Sequence, residues 1–265
     1  MKILYLSLTH DTEKYSKHRF AQQKYLKFSK QSEILWMLGS EAIDSPKLAN
    51  PNLLLLPIKE NFENILHKTL LSVEWALATK KFDFLVRTNT STYFEDSKLR
   101  THLLDKKIET TFSGEFGKYH GTHFVAGNFM VISRDNCDLL LQMDHEDWAE
   151  YPDDVAISKY LILNGIQPQR IKRNDLTDFS PFRFSIQHRI KSLTDSEVVG
   201  RRFQEISDIY NSNWNQRPFR IAKHQSAEFA RYLSERPIRN IRSFLAFLRY
   251  IYRLLLVVPR NIVSH

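Results

Sequence analysis

A chain of 265 residues with 42% hydrophobic and 12% aromatic residues is long and apolar enough for one sizeable folded core, which excludes global disorder. A single cysteine, Cys137, excludes an intramolecular disulfide framework and reads as a small core residue beside Leu139 and Leu140, consistent with a reducing compartment. The net charge of +8 suits phosphate-bearing ligands, anionic lipid or nucleic acid, yet there is no zinc spacing, helix-turn-helix signature or aromatic-basic RNA motif, so no nucleic-acid partner is expected.

In chain order, residues 2–8 read as a first strand rather than a signal peptide, ending in Thr9 and His10. Residues 14–30 have the sparse apolar spacing of a surface helix, and 33–38 are a second strand stopped by Gly39. Residues 53–56 form a short apolar run closed by Pro57. Residues 62–79 carry helical spacing at Ile65, Leu66, Leu70, Val73, Trp75 and Leu77 and lead into a strand at 82–86. Residues 96–104 read as a helix, 111–116 and 124–133 as strands, and 136–143 and 155–163 as helices, the last closed by Asn164 and Gly165. Residues 166–190 are mixed and basic, and 192–234 are polar with helical spacing. The alternation of strand and helix argues an α/β protein with a mainly parallel central sheet flanked by helices and a helical C-terminal extension. Expected boundaries are 1–190 for the main domain, 191–235 for the extension and 236–265 for a terminal helix.

Two segments carry the chemistry. The apolar strand 82–86 changes abruptly into Arg87-Thr88-Asn89-Thr90-Ser91, placing short hydrogen-bonding side chains at a strand's carboxyl end, where open α/β sheets bind ligands. Later, Tyr151-Pro152-Asp153-Asp154-Val155 sets a carboxylate pair before an apolar helical pattern, a position suited to an N-cap as well as to acid–base work. Trp148 and Tyr151 just before the pair suit either a sugar face or the core.

The order of Asn64-Ile65-Leu66-His67-Lys68-Thr69, Leu85-Val86-Arg87-Thr88-Asn89-Thr90-Ser91, Phe124-Val125-Ala126-Gly127-Asn128, Ile132-Ser133-Arg134-Asp135, Asp153-Asp154-Val155 and Gly165-Ile166 resembles the core of the beta-1,3-glycosyltransferases and Fringe-like sugar transferases, over a little under half the chain. The resemblance implies a GT-A fold (a Rossmann-like sheet) and transfer, with inversion, from a nucleotide-sugar, a UDP-sugar expected, to a glycan or glycolipid acceptor. A bacterial surface-glycan enzyme of lipopolysaccharide or capsule synthesis is expected. In that family the Asp before Val is the general base, which maps to Asp154; Asp153 then orients it or contacts the acceptor. Thr9, His10, Arg87, Thr88, Asn89, Ser91, Gly127, His188, Arg189 and Lys191 become candidate nucleotide-sugar contacts, and Trp148 and Tyr151 acceptor contacts. The family's Asp-x-Asp metal motif is replaced by Asn89, Thr90 and Ser91, so no metal ligand is assigned: a Mg²⁺ or Mn²⁺ cofactor is disfavoured, with Arg87 and the run Gln187–Lys191 expected to neutralise the leaving diphosphate instead. The missing motif leaves a second reading open, a catalytically inactive sugar-binding or scaffold protein; a third, a basic nucleic-acid-binding protein, is allowed by the C-terminal arginines, but the apolar face opposite them points to lipid.

At the C-terminus, Arg239, Arg242, Arg249, Arg253 and Arg260 recur at three, seven, four and seven residues, on one helical face, with Phe244, Leu248, Ile251, Leu255 and Val258 broadly opposite. A basic amphipathic helix of this kind lies in an anionic membrane interface, so the expected location is the cytoplasmic side, peripheral on the inner face of the cell membrane.

Overall fold

The structure, a computed structural model, describes residues 1–104, 111–176, 185–190 and 196–212. The elements run β1 (Ile3–Leu8), α1 (Glu13–Tyr25), β2 (Ser32–Gly39), β3 (Lys47–Asn50), β4 (Leu53–Leu56), α2 (Ile65–Thr79), β5 (Phe84–Asn89), β6 (Thr92–Phe94), α3 (Asp96–Leu104), β7 (Phe112–Tyr119), β8 (Thr122–Ser133), α4 (Arg134–Leu140), α5 (Asp153–Leu163), β9 (Gln169–Arg170), β10 (Arg173–Leu176), β11 (Gln187–Ile190) and α6 (Ser196–Tyr210).

Eight strands form one sheet in the order β3-β4-β2-β1-β5-β8-β7-β9. β4, β2, β1 and β5 are parallel neighbours, while β8 runs against both β5 and β7. β1, β2 from Ile34 onward and the first half of β5 (Phe84 to Val86) are nearly continuous apolar runs because both faces of the sheet are covered. Side chains alternate between the faces. Leu4, Leu6 and Leu85 join the core under α2, α4 and α5, whereas Ile3, Tyr5, Phe84 and Val86 join the core under α1, α3 and α6. Each fully buried Phe or Leu contributes about 1.5–3 kcal/mol relative to exposure. α6 adds Phe203 and Ile206 to the second core.

A smaller sheet, β10-β11-β6, branches from the end of β5. The chain turns at Thr90 and Ser91, and β6 then pairs antiparallel with β11, setting Tyr93 opposite His188 and Thr92 opposite Arg189. Gln22 of α1 holds this branch point. Its side-chain N–H groups donate to Asn89 O at 3.1 Å and Thr92 O at 3.2 Å, while its Oε1 accepts from Ser7 Oγ and Trp36 Nε1. That network explains why α1 buries a glutamine although its sequence carries almost no apolar stripe.

The strand expected at 82–86 extends to Asn89, because Leu8 of β1 pairs with Asn89 and Phe129 of β8 with Thr88. β3, β6, β9, β10 and β11 fall in segments where no strand is expected from the sequence. Among the described residues, no helix is long and apolar enough to cross a membrane. Lys191, Arg239, Arg242, Arg249 and Arg253, and with them the terminal amphipathic helix, lie outside the described residues.

Candidate functional site

The carboxyl end of β5, the middle of β8 and the first turn of α5 meet at one point. Strand alternation sends Arg87 to the face covered by α5, since Phe84 and Val86 occupy the other. Arg87 is 3% exposed. Its Nη2 donates to Asp153 Oδ2 at 2.6 Å, and its Nη1 donates to Asn89 Oδ1 at 2.9 Å and to the Gly127 carbonyl. A bonded ion pair is the arrangement that makes a buried guanidinium tolerable.

Asp154, beside Asp153 at the start of α5, accepts from the Gly127 N–H at 2.9 Å through Oδ2. Burial pushes its carboxyl above the ordinary aspartate range, and the Asp153 charge adds to this; the Gly127 N–H and Arg87 act in the opposite direction. Gly127 is required by packing. A Cβ there would lie 2.5 Å from Arg87 Nη1 and 2.9 Å from Asp154 Cβ. The next residue, Asn128, is also buried. Its carbonyl accepts from Thr88 Oγ1 at 2.8 Å and Thr92 Oγ1 at 3.0 Å, and its side chain accepts from Arg173 Nη1 at 2.6 Å and donates to Gln187 Oε1 at 3.1 Å. The main sheet and the small sheet are thus tied together behind the two carboxylates.

At the end of β1, Thr9 and His10 sit beside α1 and α2. Arg19 donates to Thr9 Oγ1 at 2.7 Å and to His10 O at 3.2 Å. Lys68 donates to Thr9 O at 2.9 Å and pairs with Glu60 at 2.7 Å. Burial lowers the Lys68 ammonium below its usual range, opposed by Glu60. His10 Nδ1 is buried without a protein partner.

The polar row at residues 88–91 is now placed. Thr88 and Thr90 are buried, Thr88 is bonded to Asn128 O, and Asn89 Oδ1 is taken by Arg87. Ser91 is half-buried, and its carbonyl accepts from Ile190 N at 3.1 Å. Divalent hard cations favour several carboxylate and carbonyl oxygens, so these neutral and already bonded groups do not fit Mg²⁺ or Mn²⁺. Among the described residues, no three His, Cys, Asp or Glu side chains converge to hold a metal ion.

A cleft of about 550 Å³ opens beside Asp153, lined on one side by Phe62 to Asn64 and the first turn of α2 (Ile65 to His67) and on the other by residues 145–146 and 149–153, with Tyr119 from the end of β7. Tyr151 lines it, with Lys159 Nζ 3.8 Å from its ring centroid. Trp148 packs on the hydrophobic core, 6.0 Å from both Tyr151 and Tyr160. His67 of α2 and His145 stack at 3.8 Å along this cleft.

Two expectations change in physical detail. Arg87 reads from the sequence as a group facing a departing diphosphate, but its two terminal nitrogens are engaged by Asp153, Asn89 and Gly127. His188 reads as a late phosphate-contacting histidine. Its side chain is instead wholly buried, with Nε2 3.0 Å from Tyr210 Oη and its ring edge-on to Tyr93. Burial pushes this imidazole down to about 3, helped by Lys98. Arg189, next in β11, is half-buried. Gln22, Arg19 and Arg173 are missed by sequence reasoning. Gln22 and Arg173 are isolated polar residues with partners far along the chain, and Arg19, whose partners Thr9 and His10 are close in sequence, sits in a polar helix with nothing to single it out. Asn128 and Lys68 sit inside the quoted motifs but carry no role there.

No protein-family model matches the chain, and no curated protein matches it. Among solved structures, one that matches is a glycosyltransferase involved in the glycosylation of the major capsid of PBCV-1, at 8% identity with a TM-score of 0.51, covering 77% of this chain and 99% of that one. The galactosyltransferase LgtC in complex with donor and acceptor sugar analogs matches at 13% identity and a TM-score of 0.45, covering 82% of this chain and 99% of its own. The chain has the mixed α/β, mainly parallel GT-A fold of glycosyltransferases.

Proposed function

We propose that the chain is a glycosyltransferase that moves a sugar from a nucleotide-sugar, a UDP-sugar first among candidates, to a glycan or lipid-linked glycan. The observation that carries this reading is the Asp153–Asp154 pair. It stands at a helix start, beside a cleft, at the point where β5 and β8 meet in a GT-A fold. Asp154 is the general base. The acceptor hydroxyl oxygen forms a bond to the anomeric carbon, its proton passes to the Asp154 carboxylate, and the bond from that carbon to the diphosphate breaks, releasing the nucleotide diphosphate with inversion. A carboxyl raised by burial suits a base that must hold this proton. Asp153, fixed by Arg87, positions its neighbour and borders the acceptor cleft, with Tyr151 on the same wall.

The donor lies over the ends of β1 and β5, against Thr9, His10 and Asn89. The poor donor set at residues 88–91 supports metal-independent transfer, with Arg19, bonded to Thr9 at the end of β1, and Arg189, opposite Thr92, as cations for the diphosphate. The resemblance to Fringe-like enzymes supports inversion and a surface-glycan acceptor. The arginine face of residues 239–253 supports attachment to an anionic membrane on its cytoplasmic side.

Purified protein incubated with UDP-, GDP-, CMP- and dTDP-sugars should release one nucleotide diphosphate, or in the CMP case the monophosphate, equally well in excess EDTA. Loss of turnover in EDTA with recovery on adding Mn²⁺ contradicts the metal-free part. A second reading, an inactive sugar-binding module, is favoured by one observation: both carboxylates and Arg87 already have internal bonding partners. Absence of nucleotide release with every donor, alongside saturable binding of one of them, selects that reading.

A further inference from the structure

The cleft beside Asp153 has a charge opposite to that of the chain. The protein carries a net +8, yet the cleft is lined by Glu63, Glu146, Glu150 and Asp153 and by no lysine or arginine. Asp153 is neutralised by Arg87. Glu63, Glu146 and Glu150 are exposed, and none has an ion-pair partner among the described residues. Burial and the neighbouring His145 hold the His67 imidazole below its usual range, opposed by Glu146.

A second feature is aromatic. Phe62, at the lip of the cleft, is 74% exposed, and Tyr119 and Tyr151 line the interior. A large exposed aromatic beside carboxylates matches the needs of a sugar ring: an apolar face to cover its C–H groups and acceptors for its hydroxyl and amine protons. A dianionic phosphate or a uronate would meet three unpaired carboxylates. A neutral ring would gain the aromatic contact but leave those charges without a partner.

We infer that this cleft is the acceptor subsite and that the sugar residue it receives carries a free amine in its ammonium form. The assignment of the cleft to an acceptor rests on the transferase reading above; the amine selectivity rests on the cleft alone. Three exposed carboxylates around one ammonium give about a tenfold preference over the uncharged N-acetyl form at low salt. Any phosphate carried by the acceptor then lies outside the cleft.

The probes are a chitosan tetrasaccharide with free amines, its fully N-acetylated counterpart, an oligogalacturonide and trilysine, titrated into the full chain by calorimetry at low ionic strength. The expected result is about tenfold tighter binding of the free-amine sugar than of the N-acetylated one, and no uptake of the oligogalacturonide. The preference should disappear in 0.5 M salt and in the Glu63→Gln/Glu146→Gln/Glu150→Gln variant, and persist in Glu41→Gln, an exposed acid not among the cleft-lining residues. Phe62→Ala should weaken both sugars alike. The three glutamates are exposed, so folding is not at stake; should the triple variant melt early, Glu150→Gln alone should halve the preference or more. Equal affinity for the two sugars, an amine preference that survives the triple variant, or trilysine binding as tightly as the amino sugar overturns the inference. Nucleotide release from the donor is measured on the same preparation. Its absence with amine selectivity intact sinks the transferase reading alone, and the reverse outcome sinks only the amine assignment.

Discussion

Arg87 and Asp153 lie 66 residues apart in sequence and form a 2.6 Å ion pair that fastens β5 to the first turn of α5, with Arg87 almost fully buried. Removing one member of such a pair leaves a charge in low dielectric without its partner. Asp153→Ala should cost about 3–5 kcal/mol of stability in urea unfolding. Arg87→Met/Asp153→Leu together should cost less than either single change. An Asp153→Ala variant within 1 kcal/mol of wild type would show the pair to be energetically idle.

Gly127 supplies both the carbonyl that Arg87 holds and the N–H that Asp154 holds. Gly127→Ala places a methyl group 2.5 Å from Arg87 Nη1 and 2.9 Å from Asp154 Cβ, so the buried guanidinium or the start of α5 must shift. A loss of about 1–3 kcal/mol is expected, together with a fall in turnover larger than that of other strand Gly→Ala changes. Wild-type activity in this variant would argue that the Asp154 position is not critical.

The response to acid should report two buried histidines. His188 is held down to about 3 and His18 to about 4, both mainly by burial. An imidazole with a folded pKa below its unfolded value of about 6.5 stabilises the protein fully above that value and loses this contribution as pH falls toward the folded pKa. Each such group adds a slope of about 1.4 kcal/mol per pH unit between about 6 and 4. Urea melts at pH 7, 6 and 5 should show this decline, and His188→Gln should flatten it. A stability constant from pH 7 to 5 would contradict the buried, neutral imidazoles.

Deleting residues 237–265 should move the protein from the membrane pellet to the soluble fraction and abolish its binding to vesicles containing anionic lipid. Unchanged fractionation would remove the terminal arginine face from the account.

The regular part of the fold is legible because its signals are local. Leu53–Leu56 and Asp96–Leu104 stand where their apolar spacing puts them, and the two-sided burial of β1 is visible in its apolar run from Ile3 to Leu6. β6, β10 and β11 are illegible because each is only three or four residues long, and β10 and β11 are mostly polar; such segments become strands only when a distant partner supplies the ladder, as Tyr93 does for His188. The site divides in the same way. The carboxylates announce themselves by standing before an apolar helix. The partners of Arg87 do not, because a lone arginine at a strand end gives no sign of whether it faces solvent or a helix start. Strand alternation with Leu85 is the one sequence signal that points Arg87 toward α5. The cleft was unreadable, since Phe62, Tyr119 and Glu150 come from three separate segments.

The most direct test of the account is Asp154→Asn, assayed for sugar transfer and, in parallel, for donor binding and melting temperature at pH 7. Replacing a carboxylate raised by burial removes a charge that the folded state disfavours above the usual aspartate range, so the melting temperature should hold or rise by about 2–4 °C. Donor affinity should stay within about threefold of wild type, while turnover falls by about 10²–10⁴. Transfer at near wild-type rate by a folded, donor-binding Asp154→Asn protein would contradict the assignment of Asp154 as the base.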